Sequence, residues 1–154
     1  MVNLNITDIK ESVKVGEAME DRLAEELKEK LEVDILKLPD FSDMDRFVVD
    51  NPPYFLEIKC REEGKYYKDA MCPFRKYLTA SMIQDKLKLK VFALFYFKDR
   101  KNIGYWYDLT TPLYFKEVTR RDRGVKDKYA FYKPFNCIEL NIEEGGIDEN
   151  FKIL

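Results

Sequence analysis

The sequence contains no histidine. Without an imidazole, the chain cannot use a Ser-His-Asp triad, a histidine-ligated zinc centre or a histidine-bound haem. Cysteine is also scarce, because Cys60, Cys72 and Cys137 are the only three, and no Cys-x-x-Cys spacing supports a zinc ribbon or a thioredoxin-type site. The hydrolytic chemistry that remains open uses carboxylates, lysine or a metal held by oxygen ligands.

The sequence also lacks a strong net charge and a long apolar run. Its 27 Lys and Arg against 29 Asp and Glu give a formal charge of −2, so any contact with a polyanion must come from local basic patches. No apolar run approaches about 20 residues, which predicts that no helix spans a membrane. An odd number of cysteines without an apolar signal region predicts a reducing cytoplasm, and the host cytoplasm if the source is viral or a phage.

The apolar pattern predicts one domain over residues 1–154, with an α/β fold. Met19, Leu23, Leu27 and Leu31 recur every four residues and predict an amphipathic helix over 16–31. The other predicted elements are strands at 32–38, 43–49 and 54–60, a helix at 74–89, and strands at 91–97, 103–109 and 128–132. The order α-β-β-β-α-β predicts a mixed central sheet flanked by helices, with a core at about 16–109 and a strand-rich C-terminal extension at 110–154.

The two strands at 43–49 and 54–60 are predicted to form a hairpin, because Asp50-Asn51-Pro52-Pro53 is a turn signal. If the loop centres on Asn51, then Asp45 faces Glu57 and Asp43 faces Lys59. Two facing carboxylates are unfavourable unless a cation compensates, and Mg²⁺ or Mn²⁺ prefers such oxygen ligands.

Alternation along the second strand places Glu57 and Lys59 on one face of the sheet. Tyr54, Leu56, Ile58 and Cys60 take the other face, where they can pack in the core. By the same alternation Arg46 would face the core with Met44 and Val48, unless it lies at a strand end or a bulge redirects it.

These residues resemble the signature of the PD-(D/E)xK nuclease superfamily, which has an acid on one strand and (D/E)-x-K on the next. In this chain it reads Asp45, eleven residues, then Glu57-Ile58-Lys59. The literal Pro-Asp pair is absent, so Asp43 is a rival for the first acid. The family commonly adds a helix glutamate, and the spacing Gly16-x-x-x-Glu20, similar to that of archaeal Holliday-junction resolvases, favours Glu20 over Glu17.

The resemblance covers roughly residues 16–97 and implies a restriction-endonuclease-like core with a metal-dependent nuclease site. The implied catalytic residues are Asp45, Glu57, Lys59 and Glu20. The implied ligands of Mg²⁺ or Mn²⁺ are Asp45, Glu57, the Ile58 carbonyl and Glu20. The family often carries a Lys or Gln on the next helix, which here would be Lys76 or Gln84. The implied substrate is nucleic acid, with DNA expected and RNA as the open alternative, and such small nucleases often form homodimers.

Local positive charge is concentrated in residues 116–133, which predict a basic hairpin tip. Candidate nucleic-acid contacts are Arg61, Arg120, Arg121, Arg123, Lys126 and Lys128. The alternative is an exposed loop that only aids solubility. For the whole chain, the alternatives to a nuclease are a catalytically inactive nuclease-fold protein that binds nucleic acid or protein, and a structural domain whose charged strand face is merely solvated.

Overall fold

A computed structural model of the chain describes residues 6–39, 42–61, 70–97, 103–120 and 124–140. The elements in these ranges are α1 (Ile6–Leu31), β1 (Asp34–Lys37), β2 (Arg46–Val49), β3 (Tyr54–Arg61), β4 (Ala70–Pro73), α2 (Phe74–Leu87), β5 (Lys90–Phe97), β6 (Ile103–Asp108), β7 (Tyr114–Arg120), β8 (Val125–Tyr132) and β9 (Asn136–Glu139).

The centre of the fold is a six-stranded sheet in the order β1-β2-β3-β5-β6-β9. Strands β3 and β5 are parallel, and the other neighbouring pairs are antiparallel. Because parallel strands need a long crossover, β4 and α2 lie between β3 and β5 in the chain. A smaller antiparallel sheet has the order β4-β8-β7. The chain therefore has the predicted α/β fold with a mixed central sheet flanked by helices.

Helix α1 packs on one face of the central sheet through its predicted apolar stripe, except for Leu31 at the end of the helix, which is exposed. Met19, Leu23 and Leu27 are fully buried there, against Leu56 and Ile58 of β3. Removing each such side chain from water contributes about 1.5–3 kcal/mol, so this stripe fixes the helix on the sheet. Of the residues that the structure describes, no helical segment is long and apolar enough to cross a membrane.

The opposite face of the central sheet is covered by α2 and the smaller sheet. Strand β5 contributes to both cores, because Leu94 and Tyr96 point towards α1 whereas Ala93 and Phe95 point towards α2. The continuous apolar run of β5 is thus buried on both sides, as its composition predicted. Leu140, which follows β9, is fully buried in the α1-side core, and β8 pairs with β4, so parts of the predicted C-terminal extension join the main body.

Several boundaries differ from the sequence prediction. Helix α1 begins at Ile6 rather than at residue 16. Strand β2 begins at Arg46 rather than at residue 43. The Asp45 carbonyl still accepts a hydrogen bond from the Leu38 N–H at 2.7 Å, which continues the register of β1, but the Asp45 N–H donates to a side chain of β3. Strands β4, β7 and β9 were not predicted individually.

Candidate active site

The hairpin of β2 and β3 brings two acidic residues together. Its observed register pairs Phe47 with Phe55 and Val48 with Tyr54, which is the register predicted from a loop centred on Asn51. Asp45 lies one residue before β2, and its N–H donates a hydrogen bond of 3.0 Å to Glu57 Oε1. Each carboxyl group therefore affects the pKa of the other. The predicted facing of these two acids is confirmed.

Glu57 is the most deeply buried charged residue of the site, with 2% of its surface exposed. Its Oε1 atom accepts hydrogen bonds from the Asp45 N–H and from the Lys76 ammonium, which lies 3.2 Å away. Its Oε2 atom has no hydrogen-bond partner among the described residues. Burial, and then the hydrogen bond and charge of Asp45, raise the pKa of Glu57 to about 7.

Lys59 places an ammonium group between the two acids. Its Nζ atom lies 3.5 Å from Glu57 Oε2 and 3.6 Å from Asp45 Oδ2. Burial opposes the charged form of Lys59, but the carboxylates of Glu57, Asp45 and Glu20 outweigh it and raise its pKa. The same ammonium helps to hold the pKa of Asp45 below its usual range against the effect of burial, together with the hydrogen bond to Glu57. Lys59 is therefore a fixed positive charge at neutral pH.

Helix α1 contributes Glu20 to the same region. Burial, and secondarily the charge of Asp45, raise the pKa of Glu20, whereas Lys59 and a hydrogen bond to the main chain of Cys60 lower it. Glu20 is partly buried, whereas Glu17, the weaker candidate from the sequence, is exposed. The helix glutamate that interacts with the strand residues is thus Glu20.

Helix α2 contributes a second ammonium group. The Lys76 side chain is 15% exposed, and it donates both to Glu57 Oε1 and to the main-chain carbonyl of Asp43. Gln84 lies eight residues further along α2, about 12 Å along the helix axis, and its side chain accepts a hydrogen bond from Lys90 instead. Of these two candidates, the structure brings only Lys76 to the paired acids.

Asp43 does not face Lys59, and that part of the predicted hairpin is wrong. The residue lies in a bend before β2, where its Oδ2 accepts a hydrogen bond of 3.2 Å from the Thr79 hydroxyl. The ladder between β2 and β3 ends at Arg46, and the Asp45 N–H donates to the Glu57 side chain, so the predicted register does not extend to Asp43. Asp43 instead connects the bend to α2.

Arg46 faces the α1 side of the sheet with Val48, as alternation predicted, and its charge is paired there; Met44, predicted on the same face, packs in the core on the α2 side. Its Nη2 atom lies 2.7 Å from Asp21 Oδ1 of α1, and only 7% of its side chain is exposed. Its Nε atom has no hydrogen-bond partner among the described residues. Burial disfavours the charged form of Asp21, but hydrogen bonds from Arg46 and Lys37 outweigh it and lower its pKa. Sequence analysis missed Asp21, although it adjoins Glu20 on the helix flank.

Replacing Asp21 with alanine should destabilise the fold by about 2 kcal/mol, because it leaves the buried Arg46 charge without its carboxylate. Breaking a fully buried pair costs about 3–5 kcal/mol, and the exposure of Asp21 reduces that figure. Lys37→Met is the matched control, since Lys37 contacts the same carboxylate at 3.0 Å but is half exposed, and it should cost less than about 0.5 kcal/mol. Urea unfolding measures both changes. Equal losses in the two variants would contradict the assignment of Asp21 to Arg46.

The described basic residues predicted to contact nucleic acid lie on several different strands. Arg61 is exposed two residues beyond Lys59, with its guanidinium 5.5 Å from the ring centre of Phe95. Arg120 ends β7, whereas Arg121 and Arg123 lie outside the described residues. Lys126 forms an ion pair of 3.2 Å with Glu117. The Lys128 ammonium lies over the rings of Phe74 and Phe115, at 4.3 and 5.1 Å from their centres.

The donor set at Asp45 and Glu57 fits a hard divalent cation. Mg²⁺ in proteins is commonly held by one or two carboxylates, with waters and a substrate phosphate completing an octahedron. The unbonded Oε2 of Glu57 and the Oδ2 of Asp45 both approach one cation already, the ammonium of Lys59. The Ile58 side chain is buried on the other face, so only its carbonyl could add a ligand. Within the described segments, no three acidic or cysteine side chains form a metal-binding group.

Comparisons with known proteins give likeness in structure but none in sequence. No protein-family model matches the sequence, and no curated protein shows significant sequence similarity to it. Among solved structures, the chain is similar to Hjc from Archaeoglobus fulgidus, a Holliday junction resolvase from an archaeal hyperthermophile. The identity is 10%, the match covers 80% of this chain and 83% of that one, and the TM-score is 0.48. The functional argument therefore depends on the residues of the site.

Proposed function

We propose that this protein is a divalent-metal-dependent nuclease that hydrolyses phosphodiester bonds, with DNA as the expected substrate. The observation that carries the proposal is the contact between Asp45 and Glu57 from adjoining segments of a hairpin, with the ammonium of Lys59 within 3.6 Å of both. A buried carboxyl group beside a second, partly exposed one is electrostatically costly. Such an arrangement is typical of sites that bind a cation and use it in a reaction.

In this proposal the acids would bind the metal, and the ammonium group would stabilise negative charge. Asp45 and Glu57 would hold Mg²⁺ or Mn²⁺, with the Ile58 carbonyl and Glu20 as further candidate ligands. When bound, the cation would supply Lewis-acid catalysis and make water a better nucleophile. Lys59 would stabilise the negative charge that develops on the phosphate during hydrolysis. Because several carboxylates raise its pKa, Lys59 keeps its charge while it does so.

Lys76 is a positioning residue in this proposal. By donating to Glu57 Oε1 and to the Asp43 carbonyl, it joins α2 to the segment that carries Asp45. It leaves Oε2 of the same carboxylate without a hydrogen bond among the described residues. The free lone pairs of Glu57 are thus concentrated on the oxygen that also approaches Lys59.

Contacts to the substrate are expected around this site. Arg61 continues the strand of Glu57 and Lys59, and its exposed guanidinium could bind a phosphate. The other candidates for phosphate contacts are Arg120, Arg121, Arg123, Lys126 and Lys128. Of these, Lys126 and Lys128 lie in β8, and both are exposed.

The alternative is a nuclease-fold protein without catalysis that binds nucleic acid or protein. The observation that favours it is the lack of a three-residue metal-binding group among the described residues. In that case the ammonium groups of Lys59 and Lys76 would serve only to neutralise the buried acids.

Cleavage assays with added Mg²⁺ or Mn²⁺ test the proposal on duplex, single-stranded and branched DNA and on RNA. We expect chelator-sensitive cleavage of DNA. Thermal unfolding with the same metals separates the two functions further, because a ligand at one hundred times its dissociation constant stabilises the fold by about 2.7 kcal/mol. If neither cleavage nor a metal-induced rise in the unfolding temperature occurs, the nuclease proposal is wrong.

A further inference from the structure

Three side chains of α2 contact a single residue in the bend before β2. Asp43 Oδ2 accepts a hydrogen bond of 3.2 Å from the Thr79 hydroxyl, and Asp43 Oδ1 lies 3.8 Å from Arg75 Nε. The main-chain carbonyl of Asp43 accepts a hydrogen bond from Lys76. An acidic residue that is not one of the paired acids therefore connects the bend to three positions of α2.

The two contacts of the Asp43 carboxylate differ in strength. The ion pair with Arg75 is long, and the Arg75 side chain is 72% exposed, so water screens most of its energy. The Thr79 hydroxyl lies within hydrogen-bond distance of the carboxylate, on a branched side chain that has few rotamers to lose. The hydrogen bond from Thr79 is thus the contact that fixes the Asp43 side chain.

Asp43 lies two residues before Asp45, and the chain between them is held at each residue. Met44 is 3% exposed and packs in the core on the α2 side. The Asp45 N–H donates to Glu57 Oε1, and the Asp45 carbonyl accepts from the Leu38 N–H. A movement of Asp43 away from α2 would therefore pass along two residues to the carboxyl group of Asp45.

We propose that Asp43 is a positioning residue, which holds the carboxyl group of Asp45 beside Glu57 through the hydrogen bond from Thr79. The inference rests on the proposed nuclease function, and it gives Asp43 no contact with the metal. The hydrogen bond of Asp43 then matters for cleavage, whereas its negative charge does not. A displacement of about 1 Å at a reacting group can lower a rate by about 10²-fold, so a loosened bend should lower kcat and leave KM unchanged.

Steady-state cleavage by two variants of Asp43 separates the hydrogen bond from the charge. Asp43→Asn keeps an oxygen that accepts from the Thr79 hydroxyl, and its kcat should stay within about threefold of the original. Asp43→Ala removes the acceptor, and its kcat should fall at least about tenfold with KM unchanged. Thr79→Val removes the donor and should cause the same loss, and combining it with Asp43→Ala should add nothing. Thr111→Val is the control, because that hydroxyl bonds to the Asp108 carbonyl, and it should leave kcat unchanged.

Hydrogen exchange of the Asp45 amide, followed by NMR in metal-free buffer, tests the same hydrogen bond without catalysis. Asp43→Ala and Thr79→Val should speed this exchange at least about fivefold, whereas Asp43→Asn should not. The Leu109 amide, which donates to the Val91 carbonyl and belongs to a fully buried residue, should exchange at the original rate in all three variants. An equal change at both amides would mean that the whole fold is weakened, and would overturn the proposal.

The two measurements together decide the role of Asp43. A loss of cleavage in Asp43→Asn as large as in Asp43→Ala would show that the charge matters, as it would for a metal ligand, and would overturn the proposal. Original values of kcat and of Asp45 exchange in all the variants would overturn it as well. If the original chain cleaves no nucleic acid, the nuclease proposal fails, and the exchange rates alone then decide whether Asp43 positions Asp45.

Discussion

Replacing Glu57 with glutamine is expected to abolish DNA cleavage while leaving the fold intact. Glutamine has nearly the same volume and can still accept the hydrogen bond from the Asp45 N–H, but it cannot carry the negative charge that would hold a divalent cation. A cation supplies several kcal/mol of transition-state stabilisation, and each 1.36 kcal/mol is a factor of ten in rate. The rate should therefore fall at least about 10³-fold in single-turnover assays.

Lys59→Met and a matched control complete this experiment. Lys28 of α1 resembles Lys59 in exposure, 30% against 29%, and also pairs with a carboxylate, that of Glu25 at 3.0 Å. Lys59→Met should lower the rate by about 10²–10³-fold, whereas Lys28→Met and Glu25→Gln should leave it unchanged. If the Glu57→Gln variant cleaved DNA at the original rate with an unchanged metal requirement, the paired acids could not be the active site.

In metal-free buffer, the free energy of unfolding should fall as pH rises from 5 to 8, and Glu57 should account for much of the fall. Its pKa is about 7 in the folded chain against 4.5 as the ordinary value. The folded state therefore keeps the proton where the unfolded state has lost it. The resulting stabilisation is complete below pH 4.5 and disappears as pH rises through 7. Between pH 5 and 8, the expected loss in the free energy of unfolding is on the order of 2 kcal/mol.

Urea unfolding at four pH values between 5 and 8, with a chelator present, measures this loss. The Glu57→Gln variant has no group to titrate at that position, so its stability should vary much less over the same range. Glu20, whose pKa is also raised, contributes in the same direction, and Glu20→Gln measures its share. Asp45 and Asp21, whose pKa values are lowered, change the free energy of unfolding only at lower pH. Parallel pH profiles for the original chain and Glu57→Gln would contradict the raised pKa of Glu57.

Much of the fold could be predicted because the decisive residues are close in sequence. The register of β2 and β3 follows from a four-residue turn, and the alternation within β3 separates its charged face from its apolar face. The same local logic found the apolar stripe of α1 and the doubly buried β5. These are short-range patterns in which one face of an element must leave water.

The parts that could not be predicted depend on contacts between distant segments. Arg46 was unexplained until α1 supplied Asp21, because a helix flank and a strand residue 25 positions apart share no local pattern. Asp43 was misplaced because the ladder ends at Arg46. The choice between Lys76 and Gln84 needed the position of α2 over the sheet, since both residues occur on one helix and only packing shows which of them meets Glu57.

The crossover from β3 to β5 has a consequence for the newly made chain. Glu57 is enclosed only after β5 has paired alongside β3 and α2 has brought Lys76 over from the end of the crossover. Until a ribosome has released residues as far as 97, the carboxyl group remains in water with an ordinary acidity and no ammonium from α2 beside it. We therefore expect the newly made chain to emerge without an enclosed Glu57 and to complete the candidate site only when β5 meets β3.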